Sequence, residues 1–375
     1  MSTLPKFESP GNALKYFLED YLWTQEDLAQ VLSISTKHVN EMVKDKKPIT
    51  ISTAKLLESA FDLTAEQWMQ IDTKYQLSKG QNNTKDDSVY RKKQIYKQMP
   101  ITEMLKKGWL KKFNDVSNLE QQIDEFWGRN KISESDFNFI YDLEQKLNYK
   151  KSEAYEDRFY AKNAIIWYQM ALNFSQKIKV KKFDRKELFS LMQTMHSYTT
   201  EPNGVRNFLD ELAEVGVKFV YLSHLSKTYL DGAAFLDDDK TPVICLTGRY
   251  DRIDNFWHTL AHELSHVYLH LSEENDNSYI FIDDTSSKKT SKKEKEANGM
   301  TDVVLLKSSI FSAFKFNMNY ITEEMVRNVA HEIDIHPSII VGQLAFNGKI
   351  SYATTHRFKE TIKDKIPSKY RADKK

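Results

Sequence analysis

Two histidines four residues apart, His262 and His266, enclose a glutamate, Glu263, in the stretch AHELSHVYLH. On an α-helix, residues four apart lie nearly above one another. Both imidazoles can then aim a nitrogen at one ion while Glu263 points along the adjacent edge. Neutral imidazole ligands, an open position for water and a carboxylate able to take that water's proton are what metal-assisted hydrolysis requires. The flanks FWHTL and VYLHL are otherwise apolar, so these polar groups ride on a largely buried helix, where they are costly unless bound. A metal ion removes that cost; the competing explanation is histidines satisfied by backbone or carboxylate partners.

A catalytic zinc takes three protein ligands, so one more must come from elsewhere. The single cysteine, Cys245, sits in the apolar run PVICLTG and reads as a buried strand residue, which leaves carboxylates. In KKEKEANGMTDVVLL, Glu294 and Asn298 are four apart. Glu294 is therefore expected to ligate the metal and Asn298 to hydrogen-bond a ligand histidine from behind. Ser291 with Glu294 also forms a capping-box pattern, and Glu296 is the competing ligand. His336, before Pro337, is expected in a turn where it can donate to the oxyanion of a tetrahedral intermediate. Tyr268 and His270 read as packing residues.

These side chains need a scaffold. At 375 residues the chain is long enough for two or three domains. Apolar spacing of three and four predicts about five short helices up to residue 79, and the polar stretch 80–95 reads as a linker. Residues 96–214 are again helix-like and rich in Trp, Tyr and Phe, with no recognisable chemistry. From residue 215 the runs VKFVYL, YLDGAAFL and PVICLTG predict a small sheet of about three strands, with YLDGAAF or TPVICL as the edge a substrate would meet. The HELSH helix, a strand at SYIFID, a polar loop and further helices complete a domain over 215–375. The fold class is thus mainly α with a small β-sheet (α+β).

Within residues 1–79, WTQEDLAQVLSISTKHVNEMVKDKKPIT has the layout of a helix-turn-helix. Leu28, Ala29 and Leu32 face inward, Thr24 caps the first helix with Asp27 three residues on, and Val39 and Val43 anchor the second. Gln25, Thr36, Lys37, His38, Asn40 and Lys44 are the candidate contacts to phosphates and base edges. A helical bundle used only for dimerisation is the alternative. A formal net charge of +1 gives no global pull toward nucleic acid, so any DNA binding is local. No run approaches the roughly 18 apolar residues of a membrane helix, and no signal peptide is visible, so a cytoplasmic protein is expected.

Two resemblances sharpen these readings. The segment from PGNALKYF to KKPIT resembles the Xre-type helix-turn-helix of HigA-like antitoxins, with Ser33 and Asp45 standing where such domains commonly carry Gly. DNFWHTLAHELSHVYLH followed by EKEAN is similar to the ImmA/IrrE family of gluzincin-like metallopeptidases, over about 140 residues. Here Ser265 replaces the usual Gly, Met300-Thr301 replaces an FA step, and LLKS stands for LLMP. The resemblance implies a zinc endopeptidase, with manganese as a substitute metal, that cuts an Xre-type repressor or a toxin partner. The head would bind operator DNA as a homodimer. A non-catalytic sensor or docking module on a DNA-binding antitoxin is the rival expectation.

Overall fold

A computed structural model describes residues 6–79, 87–129, 139–140, 161–271, 281–283, 292–316, 320–351 and 357–373. The chain divides into two compact units, Met1–Tyr90 and Arg91–Lys375.

The first unit is five helices: α1 (Pro10–Asp20), α2 (Gln25–Val31), α3 (Thr36–Val43), α4 (Ile51–Ala60) and α5 (Ala65–Lys79). Each start is written in local chemistry. Thr24 and Asp27 form a reciprocal capping box on α2, and Ser35 and Thr50 cap α3 and α4. Leu28, Ala29, Leu32, Val39 and Val43 all point into one core with Trp68 and Phe17. The two positions that lack the usual glycine, Ser33 and Asp45, do adopt left-handed backbone, with φ of 53° and 54°. At 45 the aspartate is useful: its carboxylate accepts from the Gly11 N–H at 2.7 Å and the Ser9 hydroxyl at 2.6 Å, holding the start of α1.

Of the linker expected over 80–95, residues 80–86 lie outside the described residues, and the rest falls in a helix, α6 (Asp87–Gln98). Ile95 and Met99 are buried, and Arg91 is paired with Glu120, which gives this polar stretch a side to pack.

The second unit is built around a four-stranded sheet of order β1-β3-β2-β4, with β1 (Lys218–Tyr221), β2 (Gly232–Leu236), β3 (Pro242–Leu246) and β4 (Phe281–Asp283). β1 runs parallel to β3; β2 is antiparallel to β3 and to β4. YLDGAAF and TPVICL are therefore interior strands rather than the expected edge. Residues near the C-terminus lie along β1, where the Ala372 N–H donates to Tyr221 O at 3.0 Å and Arg371 bridges Tyr221.

Both faces of the sheet are covered. Phe219, Tyr221, Ala234, Ile244 and Leu246 face a core shared with α11 (Gly204–Glu214) and α12 (Ile253–His270). The alternate residues Val220, Ala233, Phe235, Val243 and Cys245 face a second core, as the period of two requires. That core comes from α7 (Ile101–Lys107), α8 (Val116–Trp127) and α9 (Ala161–Ser175). The division expected at residue 214 thus runs through shared packing. Helix α10 (Arg185–Gln193) and, beyond α12, helices α13 (Lys292–Val304), α14 (Lys307–Ala313), α15 (Glu323–Glu332) and α16 (Pro337–Phe346) complete the layer that carries the site.

Candidate metal centre and DNA-reading helix

Helix α12 is buried on nearly every side, with Trp257, Leu260, Ala261, Leu264 and Val267 fully enclosed. An 18-residue helix of this kind is held by packing rather than by an amphipathic stripe. His262 and His266 come from its middle, and Glu294 from the first turn of α13, which packs alongside. The two Nε2 atoms are 3.1 Å apart; Glu294 places one carboxylate oxygen 3.4 Å from His262 Nε2 and the other 3.6 Å from His266 Nε2. A tetrahedral ion with ligands at about 2.0–2.2 Å separates them from one another by about 3.3–3.5 Å, so the spacing fits one ion held by two neutral imidazoles and a carboxylate. All three side chains are buried. Burial pushes the Glu294 carboxyl upward, but hydrogen bonds to His262 and then His266 outweigh it and hold the group far below the usual carboxylate range.

Glu263 is wholly buried on the same helix, and β2 approaches it closely. A Cβ on Gly232 would come within 2.5 Å of Glu263 Oε1, so only glycine leaves room for that carboxylate. The departures from the family pattern are absorbed locally. The Ser265 hydroxyl donates to Ala261 O at 2.7 Å and the Thr301 hydroxyl to Ala297 O at 2.8 Å, so neither adds an unsatisfied polar group beneath the site. Leu306 takes left-handed backbone, and Lys307 begins α14, where LLKS replaces the usual ending.

Two expectations need correction. Asn298 is exposed and, among the described residues, bonds neither His262 nor His266. It is His270 whose Nδ1 lies 3.0 Å from His266 Nδ1, and whose Nε2 lies 3.0 Å from Glu296 Oε2. The signal was present in the sequence as a further step of four, from His266 to His270. His336 is not an oxyanion donor at this site. It caps α16: Nδ1 meets the Ser338 hydroxyl at 2.6 Å and Nε2 meets Glu360 at 3.1 Å. The Glu360 carbonyl in turn accepts from Ile253 N–H, so Glu360 ties His336 to the first residue of α12, which precedes His262 by a helical rise of about 13 Å. Burial pushes the His336 ring down despite the pull of Glu360. Ser291, the cap considered for Glu294, lies outside the described residues.

On the helix-turn-helix, Thr36 and Lys37 are exposed on α3 and Lys44 is exposed at its C-cap, while Val39, Met42 and Val43 are buried. Asn40 Nδ2 donates to Gln25 Oε1 at 2.9 Å, tying α3 to the start of α2. His38 departs from the expected surface: its ring is partly buried, with Nε2 covered.

Residues 213–340 match the family model of the IrrE N-terminal-like domain, a peptidase family, and residues 14–68 match that of the helix-turn-helix. The first match runs from the end of α11 into α16 and contains all three candidate ligands. No curated protein and no solved structure matches the chain. The chain thus joins an N-terminal Xre-type helix-turn-helix domain to a C-terminal domain of an IrrE/ImmA-like metallopeptidase family. No helix among the described residues is long and apolar enough to cross a membrane.

Proposed function

We propose that this chain is a DNA-binding regulator whose second unit is a zinc-dependent endopeptidase, and that its substrate is a transcriptional repressor or a toxin partner. The observation that carries the reading is the convergence of His262, His266 and Glu294, whose ligand atoms lie within 4.8 Å of one another, beside the enclosed carboxylate of Glu263. Zinc, or manganese in its place, would supply a Lewis acid there. Glu263 takes the proton of the attacking water and passes it to the departing amine. Glu263 is itself wholly enclosed, with Gly232 of β2 against its Oε1. An extended peptide would add at β4, because Arg371–Ala372 occupy the β1 edge.

The head is read as a HigA-like operator-binding module acting as a homodimer in the cytoplasm, with Thr36 and Lys37 exposed on α3 and Lys44 exposed at its C-cap. Purified chain with zinc, incubated with repressor and toxin proteins encoded beside it, should cleave one of them. The Glu263→Gln variant should keep its metal and lose cleavage. A Glu263→Gln protein that still cuts would remove the assigned base, and wild-type protein that binds zinc but cuts none of these proteins would favour a sensor or docking role.

A further inference from the structure

We infer that His270, backed by Glu296, is a positioning residue for the metal ligand His266; this rests on the reading of His262, His266 and Glu294 as the metal site. The three groups form a line across two helices. His266 offers Nε2 toward Glu294 and His262, and its Nδ1 lies 3.0 Å from His270 Nδ1. His270 is the last residue of α12 and is buried, and its Nε2 lies 3.0 Å from Glu296 Oε2 on α13.

The chemistry of imidazole assigns a direction to this line. A ring that ligates through Nε2 carries its proton on Nδ1, so His266 donates and His270 Nδ1 accepts. His270 then carries its own proton on Nε2 and donates it to Glu296. Each ring has one tautomer that satisfies both neighbours, and these tautomers leave His266 Nε2 with its lone pair toward the site. Partners of this kind fix the ring orientation and raise the basicity of a ligand histidine. A favourable contact with the α12 C-terminus would also suit a histidine at 270, but it would not bring Nδ1 onto His266 or Nε2 onto Glu296. The carboxylates of the E-x-E step therefore divide the work: Glu294 faces the metal position, and Glu296 fixes the residue that fixes a ligand.

The test measures zinc affinity of the full chain by chelator competition, together with the melting temperature of the metal-free protein. His270→Ala should bind zinc about 10–100-fold more weakly, the range for loss of such partners. His270→Asn, whose side-chain oxygen can accept where Nδ1 stood, should recover most of the affinity. Glu296→Ala, a change at a half-exposed side chain, should weaken binding in the same direction, and Glu296→Gln, which keeps an acceptor, should not. Metal-free melting should stay close to wild type in His270→Asn and both Glu296 variants. If wild type binds zinc and His270→Ala binds it equally well, or if His270→Asn is as weak as His270→Ala, the positioning role is overturned while the metal site stands. If wild type binds no zinc, the site reading fails and this inference with it.

Discussion

Replacing Gly232 with alanine tests the placement of Glu263 without a known substrate. Gly232 opens β2 and is not among the glycines with left-handed backbone, so alanine meets no conformational objection there. The objection is steric. The new Cβ would stand 2.5 Å from Glu263 Oε1 and 3.0 Å from Leu246 Cδ2 and Thr259 Cγ2. Ordinary contact begins at 3.4 Å, so the carboxylate must retreat by about 0.9 Å inside a region where Glu263, Leu246 and Thr259 are all buried. Overpacking of this kind costs about 1–3 kcal/mol. In a Glu263→Ala background the nearest obstacle is gone, and the cost of alanine at 232 should fall by about 0.5 kcal/mol or more, the coupling expected of groups in contact. The contacts to Leu246 and Thr259 keep it above zero. Urea denaturation of the four proteins, followed by tryptophan fluorescence, measures the cycle. Equal costs in the two backgrounds would refute the close approach of β2 to Glu263. Zinc content should be unchanged in Gly232→Ala, because Glu263 is not a ligand. Once a substrate is in hand, cleavage should drop on the order of 100-fold, as misplacing a catalytic group by about 1 Å does.

Zinc at 100 times its dissociation constant should stabilise the wild type by about 2.7 kcal/mol, read as a rise in melting temperature; His262→Ala and Glu294→Gln should lose most of that rise, and an equal rise in a His262→Ala, His266→Ala double variant would dissolve the site. In the head, Asp45→Ala removes the carboxylate that accepts from the Gly11 N–H and the Ser9 hydroxyl at the start of α1 and places a β-carbon residue without local hydrogen bonding in left-handed backbone, a loss of about 2 kcal/mol in urea melts. Asp45→Asn should recover part of it, and no loss in Asp45→Ala would show that α1 does not need this carboxylate. Lys37→Ala should weaken binding to the chain's own promoter region and flatten its salt dependence by about one unit of slope, measured by titration at several salt concentrations. An unchanged slope would move Lys37 off the phosphate backbone.

The shared face of His262 and His266 was legible because a spacing of four on a helix specifies it; Glu294, on another helix, was singled out by its spacing to Asn298, a partnership the structure does not contain although it does bring Glu294 against both rings. Spacing does not specify depth. Asn298 lies four residues beyond Glu294, yet it has turned far enough to reach solvent, while His270, read as packing, is the residue that meets His266. The strands were legible as short β-rich runs, but their order was not, since sequence order says nothing of β3 inserting between β1 and β2. PVICL is apolar at every position, the mark of a strand covered on both faces, and a strand covered twice demands a second layer of helices. His336 was misplaced because a histidine before proline reads equally well as a loop donor and as a helix cap, and only Glu360, 24 residues on, decides between them.

The helices on the far side of the sheet limit how the peptidase-family domain can be handled as a cassette. A fragment cut to the family boundary at residue 213 would carry the three candidate ligands but leave Val220, Ala233, Phe235, Val243 and Cys245 wet, along a row that α8 and α9 otherwise cover. Such a fragment is expected to aggregate rather than to cut. A transplantable version would have to begin near Arg91, so shuffling this domain between regulators moves about 285 residues as one inheritance.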